Sequence, residues 1–175
     1  MDKKLIQSAS EKLKLVDVVL DQSKLQRNKD IEPRGMSANF SQQNRLDFCA
    51  EEIVFGDDGN ELKLLRVSVN LGIRAIKSRD EEVEAQEKAD GEDEAQEKAD
   101  GEDEAISPLF LIEAVFRAEY LIEGELSDAE VQEFCHYNAV HNVWPFWRMH
   151  VFNTLKLASL PQLNIPLQRI DQIKK

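Results

Sequence analysis

Residues 127–167 constrain this chain more than any other stretch. Ser127 is followed three residues later by Glu130, the signature of a capping box. In that motif a hydroxyl and a carboxylate satisfy the free backbone donors of a helix start. Apolar residues then recur at Tyr137, Val140, Trp144, Trp147, Val151 and Leu155. Steps of three and four residues keep them on one helix face. Pro145 falls inside the run. It lacks an N–H and crowds the preceding turn, which predicts a kink there, or a second helix with Pro145 near its first turn. Pro161 and Pro166 end the helical part and bracket an extended segment, Gln162, Leu163, Asn164 and Ile165. Both tryptophans of the chain lie in this stretch. Its apolar area is large enough that it must pack against something.

Upstream, the hydrophobic period shortens to that of strands. Leu5, Ile6, Ala9 and Leu13 make a weak helical stripe over residues 2–14. Residues 15–25 then alternate, with Val16, Val18 and Leu20 expected on one side. Residues 27–43 are polar and aperiodic, contain Pro33 and Gly35, and hold Phe40 as their one aromatic. Alternation returns over residues 46–55, where Leu46, Phe48 and Ala50 oppose Asp47, Cys49 and Glu51. Gly56, Asp57, Asp58, Gly59 and Asn60 form a hairpin-turn signal. Residues 61–76 are the cleanest strand, with Leu65, Val67, Val69, Leu71 and Ile73 facing one way and Arg66, Ser68 and Asn70 the other. A fourth, more apolar strand spans residues 108–122 and is closed by Gly124. Four consecutive strands predict an antiparallel meander, packed on one face by the long kinked helical region. That is an α+β layer architecture. The other face is expected to be half polar and wet.

The formal net charge of −12 is concentrated in one segment. Between Arg79 and Glu104 stand fourteen acidic and three basic residues, so the rest of the chain is near neutral. Residues 84–93 and 94–103 are identical copies of one ten-residue sequence with no apolar side chain larger than alanine. Such a repeat cannot bury itself. The expected organisation is therefore a single domain over residues 1–175, carrying a disordered acidic loop at 79–105. No basic face is evident to neutralise phosphates, which argues against nucleic acid as a partner.

Signals for chemistry are missing. The chain has no GxGxxG, no GxxxxGK[ST] and no HExxH. His136, His141 and His150 are five and nine residues apart, which does not suit a shared metal on a helix. Cys135 and His136 are adjacent and point apart. Cys49 and Cys135 are far from each other, with no CxxC, and are expected as buried small hydrophobes in a reducing cytoplasm. Met1, Asp2, Lys3 and Lys4 lead into no apolar run, so neither a signal peptide nor membrane insertion is expected. These readings point to a cytoplasmic non-enzyme without a cofactor or metal.

What remains is apolar surface. Trp144, Phe146, Trp147, Phe152, Leu155 and Leu157 cover more than one helix face. Part of this surface suits a core and an interface between copies, for which Tyr137, Val140, Trp147, Val151 and Leu155 are the expected residues. Another part, with Phe40 and the segment between Pro161 and Pro166, suits a groove for extended polypeptide. Its expected lining is Phe40, Trp144, Phe146, Leu163, Ile165 and Ile170.

The step Trp144-Pro145-Phe146 is followed by a helix and then by Leu160-Pro161-Gln162-Leu163-Asn164-Ile165-Pro166. This order resembles the SecB protein-export chaperones, which have an aromatic-Pro-aromatic step, a helix of similar length and a closing Phe-Pro-Gln-Leu-Asn-Leu. Phe110-Leu111-Ile112-Glu113 is similar to a strand of that family reading Phe-Leu-Cys-Glu. The resemblance implies a homotetramer, built as a dimer of dimers with the long helices at the interface. It implies an ATP-independent chaperone that holds unfolded preproteins in an export-competent state and hands them to the translocase motor SecA. In that reading Leu111 and Glu113 dock the translocase, with Asp17 and Asp21 as candidates for a second acidic contact. The basic end at Lys174 and Lys175 departs from the family's docking tail. The acidic loop is closer to SecB-like chaperones dedicated to an antitoxin of a toxin–antitoxin system. A further alternative, of another class, is a structural protein that uses its apolar surface only for self-assembly.

Overall fold

The computed structural model describes residues 1–28, 40–56, 61–77 and 108–167. The expected acidic loop at 79–105, turn residues 57–60 and Ile170 lie outside the described residues. In chain order the elements are α1 (Lys3–Lys12), β1 (Leu13–Arg27), β2 (Phe40–Phe55), β3 (Leu62–Lys77), β4 (Phe110–Ile122), α2 (Asp128–Phe134), a π-helical turn (Cys135–Ala139) and α3 (Val140–Leu157). The second strand starts at Phe40, inside the aperiodic polar stretch 27–43.

Four strands form one antiparallel sheet in the order β1-β4-β3-β2. The meander therefore holds for β2, β3 and β4, while β1 pairs with β4 and not with β2. Composition accounts for this. On β4, Phe110, Ile112, Ala114, Phe116, Ala118 and Tyr120 are all buried, and Leu111, Val115 and Leu121 supply apolar groups on the other face as well. A strand apolar on both faces belongs inside a sheet. The run Gln42, Gln43, Asn44, Arg45 on β2 suits an edge.

Two irregularities set the face of β1. The register shifts between Leu15 and Asp17 and again between Leu20 and Gln22. Leu15, Val18, Leu20 and Leu25 thereby stand opposite Tyr120, Ala118, Phe116 and Ile112. Opposed residues share a sheet face, so all four leucine and valine side chains lie on the helix side. Val16 falls at the first bulge and stands opposite no residue of β4 in the register.

The core lies between the sheet and the helical layer. Val67, Val69, Ile73 and Ile112 meet Val140, Val143, Trp147 and Val151, all at most 2% exposed. Each such side chain contributes roughly 1.5–3 kcal/mol when removed from water. Pro145 sits within α3 and not at its first turn. The departure from α-helical bonding falls upstream of it, in the π turn. Cys135 is buried, but Cys49 is exposed, because its position opposite Ser68 puts it on the face without helices.

That outer face is crossed by an ion ladder. Asp21 of β1 meets Arg117 of β4 at 3.3 Å, and Arg117 meets Glu119 at 3.5 Å. Glu119 then meets Arg66 of β3 at 2.9 Å, and Arg66 meets Glu51 of β2 at 3.4 Å. Partly exposed pairs are worth little singly. As a connected row they match the observed strand order and keep this face wet.

Candidate functional site: a groove between the last helix and the closing segment

The groove is made by the way α3 ends. Ser159 adopts a left-handed backbone with φ of 53°. Leu160 N–H donates to Leu155 C=O at 2.9 Å, and Ser159 N–H donates to Lys156 C=O at 3.2 Å. This is the Schellman pattern, and its usual apolar contact is supplied by the buried pair Leu155 and Leu160. The chain then turns back along the helix in an extended form.

Three side chains tie the returning segment down. Trp144 Nε1 donates to Pro166 C=O at 2.9 Å, and Arg148 Nε donates to Ile165 C=O at 3.1 Å. From β2, Gln42 Nε2 donates to Asn164 C=O at 3.0 Å. Trp144 and Arg148 stand one helical turn apart, so both reach the same side. Prolines at 161 and 166 remove N–H groups that an extended segment would otherwise have to satisfy.

Between helix and segment opens a cleft of ≈ 430 Å³. Its helix wall holds Pro145, Arg148, Met149 and Phe152, and its other wall holds Leu163 and Ile165. Met149 is 58% exposed and Phe152 47% exposed. The cleft thus offers apolar side chains beside a cation, with no titratable pair and no nucleophile among its described residues. It can hold an apolar segment.

Of the residues expected in a client groove, the structure brings together Trp144, Leu163 and Ile165. Phe40 packs against the core, edge to face with Phe110 at 6.4 Å between centroids, and lies near the groove only through its neighbour Gln42. Phe146 does not line the cleft. It stands four residues before His150, whose Nε2 lies 3.0 Å from Ser23 Oγ on β1, so Phe146 belongs to the opposite flank of the helix. Arg148 and Met149 were not anticipated, and Phe152, among the surplus apolar residues, was not expected in the lining. The signal for them was present, since Met149 and Phe152 are apolar residues a three-residue step apart that fall off the buried stripe.

The five residues expected at an interface between copies are placed elsewhere. Tyr137, Val140, Trp147, Val151 and Leu155 are all at most 3% exposed within one chain, against its own sheet and helices. A surface already covered offers a second copy almost no area. Leu111 and Glu113, expected to dock a translocase, lie on the outer face of β4, both half-buried. Glu113 is ion-paired with Lys24 at 3.6 Å and Arg45 at 4.0 Å.

Burial tunes three groups near the core. It pushes the Tyr120 hydroxyl, which accepts from Asn142 Nδ2 at 3.1 Å, up to about 12. It likewise pushes the Cys135 thiol up to about 12, and it holds His150 below its ordinary value. None of these lies in the cleft.

This layering of a four-stranded antiparallel sheet with one long joined helix is the fold of a solved SecB-like chaperone. Among solved structures, the chain matches the Mycobacterium tuberculosis Rv1957 SecB-like chaperone in complex with a ChAD peptide from the Rv1956 HigA1 antitoxin, with a TM-score of 0.59 and 12% identity, over 95% of this chain and 98% of that one. No family model matches the sequence, and no curated protein matches it. Among the described residues, no helix is long and apolar enough to cross a membrane.

Proposed function

We propose that this protein is an ATP-independent chaperone that holds unfolded polypeptide. The observation that carries the reading is the cleft of ≈ 430 Å³, walled by Met149, Phe152, Leu163 and Ile165 and left open by the rest of the described residues. A client leucine or phenylalanine seated there contributes roughly 1.5–3 kcal/mol. Several such sites in one assembly would bind a long unfolded chain by effective concentration, while a folded protein offers no linked segments. The SecB-like fold supports this reading. We place the protein in the cytoplasm, as a homo-oligomer and most naturally a tetramer, without nucleotide, metal or enzymatic activity.

The similar Rv1957 structure is named for a complex with an antitoxin peptide. That favours a client-dedicated role for this chain as a second, finer reading. Delivery to a translocase motor rests on Leu111 and Glu113, and the cations paired with Glu113 weaken an acidic docking surface there. We therefore put holding before delivery.

The test is suppression of aggregation of a chemically unfolded client, with particle size measured alongside. Met149→Glu combined with Phe152→Glu changes two exposed positions, so the fold should survive. The double variant is expected to lose most suppression, roughly tenfold or more in the concentration needed, if each position contributes at least about 1 kcal/mol. A wild-type protein that fails to suppress aggregation at several-fold excess overturns the reading.

A further inference from the structure

The sheet face away from the helices carries a second recess, unrelated to the client groove. Gly72 stands in β3, opposite Arg45 on β2 and Glu113 on β4. A Cβ at this position would meet Arg45 Cβ at 3.5 Å and Glu113 Cγ at 3.8 Å, so its absence opens the floor between them. Two hollows, of ≈ 260 Å³ and ≈ 360 Å³, flank that point and share Arg45 and Glu113 in their walls. The first adds Lys24 and Asn70, and the second adds Arg74 and Leu111.

The charges here are not matched as they are in the ladder. Lys24 and Arg45 flank Glu113, while Arg74 stands one row further along β3 and Asp47 one row the other way along β2. Glu113 is held loosely, at 3.6 Å from Lys24 and 4.0 Å from Arg45, and those two side chains remain 59% and 70% exposed. Arg74 is oriented by Gln43, to whose side-chain oxygen its Nε donates at 2.7 Å. An incoming carboxylate can displace Glu113 from either cation without breaking a tight bond. From Asn70 to Arg74 the strand rises about 13 Å, the length of some four extended residues. A recess of that length, basic at its middle through Lys24 and Arg45 and at one end through Arg74, with apolar Leu111 and Val115 in its walls, fits a peptide better than a single small anion.

We propose that this double hollow binds an extended acidic peptide segment of a partner protein. Lys24 and Arg45 take one carboxylate, Arg74 takes the next along the peptide, and Gly72 lets the peptide approach the sheet. Glu113 acts as an internal competitor that the ligand must displace.

The experiment uses the full chain and a labelled peptide of alternating glutamate and leucine, with its glutamine counterpart as control, followed by fluorescence anisotropy. Binding of the glutamate peptide alone, weakening as salt rises, is the expected result. Arg45→Glu with Arg74→Glu should weaken it by roughly tenfold or more. Glu113→Gln should tighten it several-fold, which a merely structural role for Glu113 would not do. All variants should suppress client aggregation as the parent does, so that failure here is separate from failure of the chaperone reading. Equal binding of the glutamine peptide, no response to the charge reversals, or preference for a single-stranded oligonucleotide overturns the proposal. So does binding that emerges only once residues 84–103 are removed, because the occupant is then the chain's own acidic segment.

Discussion

One carboxylate joins the two ends of the helical layer. The capping box at Ser127 and Glu130 was legible from spacing alone, and both of its bonds are present. What spacing could not show is the carboxylate's second set of partners, because they lie on α1, far away in sequence. Glu130 Oε1 accepts from Lys12 Nζ at 2.7 Å and from Ser8 Oγ at 2.5 Å, while Oε2 accepts from the Ser127 backbone N–H at 2.8 Å. Lys12 first, then the Ser8 hydroxyl and the Ser127 donors, hold this carboxyl down at about 2 against an ordinary value of 4.5. A folded value below the unfolded one means that the ionised form stabilises the fold. That contribution is complete above about 4.5 and is lost as pH falls from there toward about 2. Glu130→Gln is expected to lower the melting temperature at pH 7 and to flatten its decline across that acid window. Thermal melts of both proteins at stepped pH check this; parallel declines would show that other carboxylates set the acid limb.

At the level of elements, legibility followed periodicity and failed where periodicity is broken. Leu65, Val67, Val69, Leu71 and Ile73 alternate without interruption, and they face the core as expected. On β1 the two register shifts hide the same arrangement, because each extra residue inverts the apparent face. Strand order was illegible for a different reason, since pairing depends on which strand is apolar on both faces and not on chain order. The end of α3 was read from Pro161, yet the residue that turns the chain is Ser159, which carries no breaker signal. Its φ of 53° is a left-handed conformation, costing an L-residue roughly 1–2 kcal/mol and costing glycine little. Ser159→Gly removes that strain, while glycine's looser unfolded chain gives back about 0.4–1 kcal/mol. A net gain of about 0.5–1 kcal/mol is expected, or a rise of a few degrees in melting temperature. Ser159→Ala retains the strain and should show no such gain. Calorimetry on the two variants distinguishes them, and equal shifts would remove backbone strain as the cause.

At the scale of the whole molecule, the surface open to a second copy is not the one expected. The stripe expected to join copies is spent on the chain's own core. Among the described residues, the helical layer covers β3 and β4 and leaves three helix-side leucines of β1 exposed, Leu15 at 44%, Leu20 at 47% and Leu25 at 40%. The contact between His150 and Ser23 puts one flank of α3 beside that strand, and exposed Phe146 lies on the same flank. Sequence periodicity could not find this seam, because it is assembled from two elements that meet only in the folded chain. An apolar seam along an edge strand favours closure by a second copy, and two-fold symmetry would place the seam against itself. Leu20→Asp with Phe146→Asp removes two apolar anchors worth roughly 1.5–3 kcal/mol each per copy. Association should weaken by at least about a hundredfold, giving smaller particles at concentrations where the parent is assembled. Light scattering across a dilution series measures it, with far-ultraviolet circular dichroism to establish that the variant remains folded. A parent that is monomeric at micromolar concentration, or a folded double variant that assembles as tightly as the parent, would remove β1 and this helix flank from the interface.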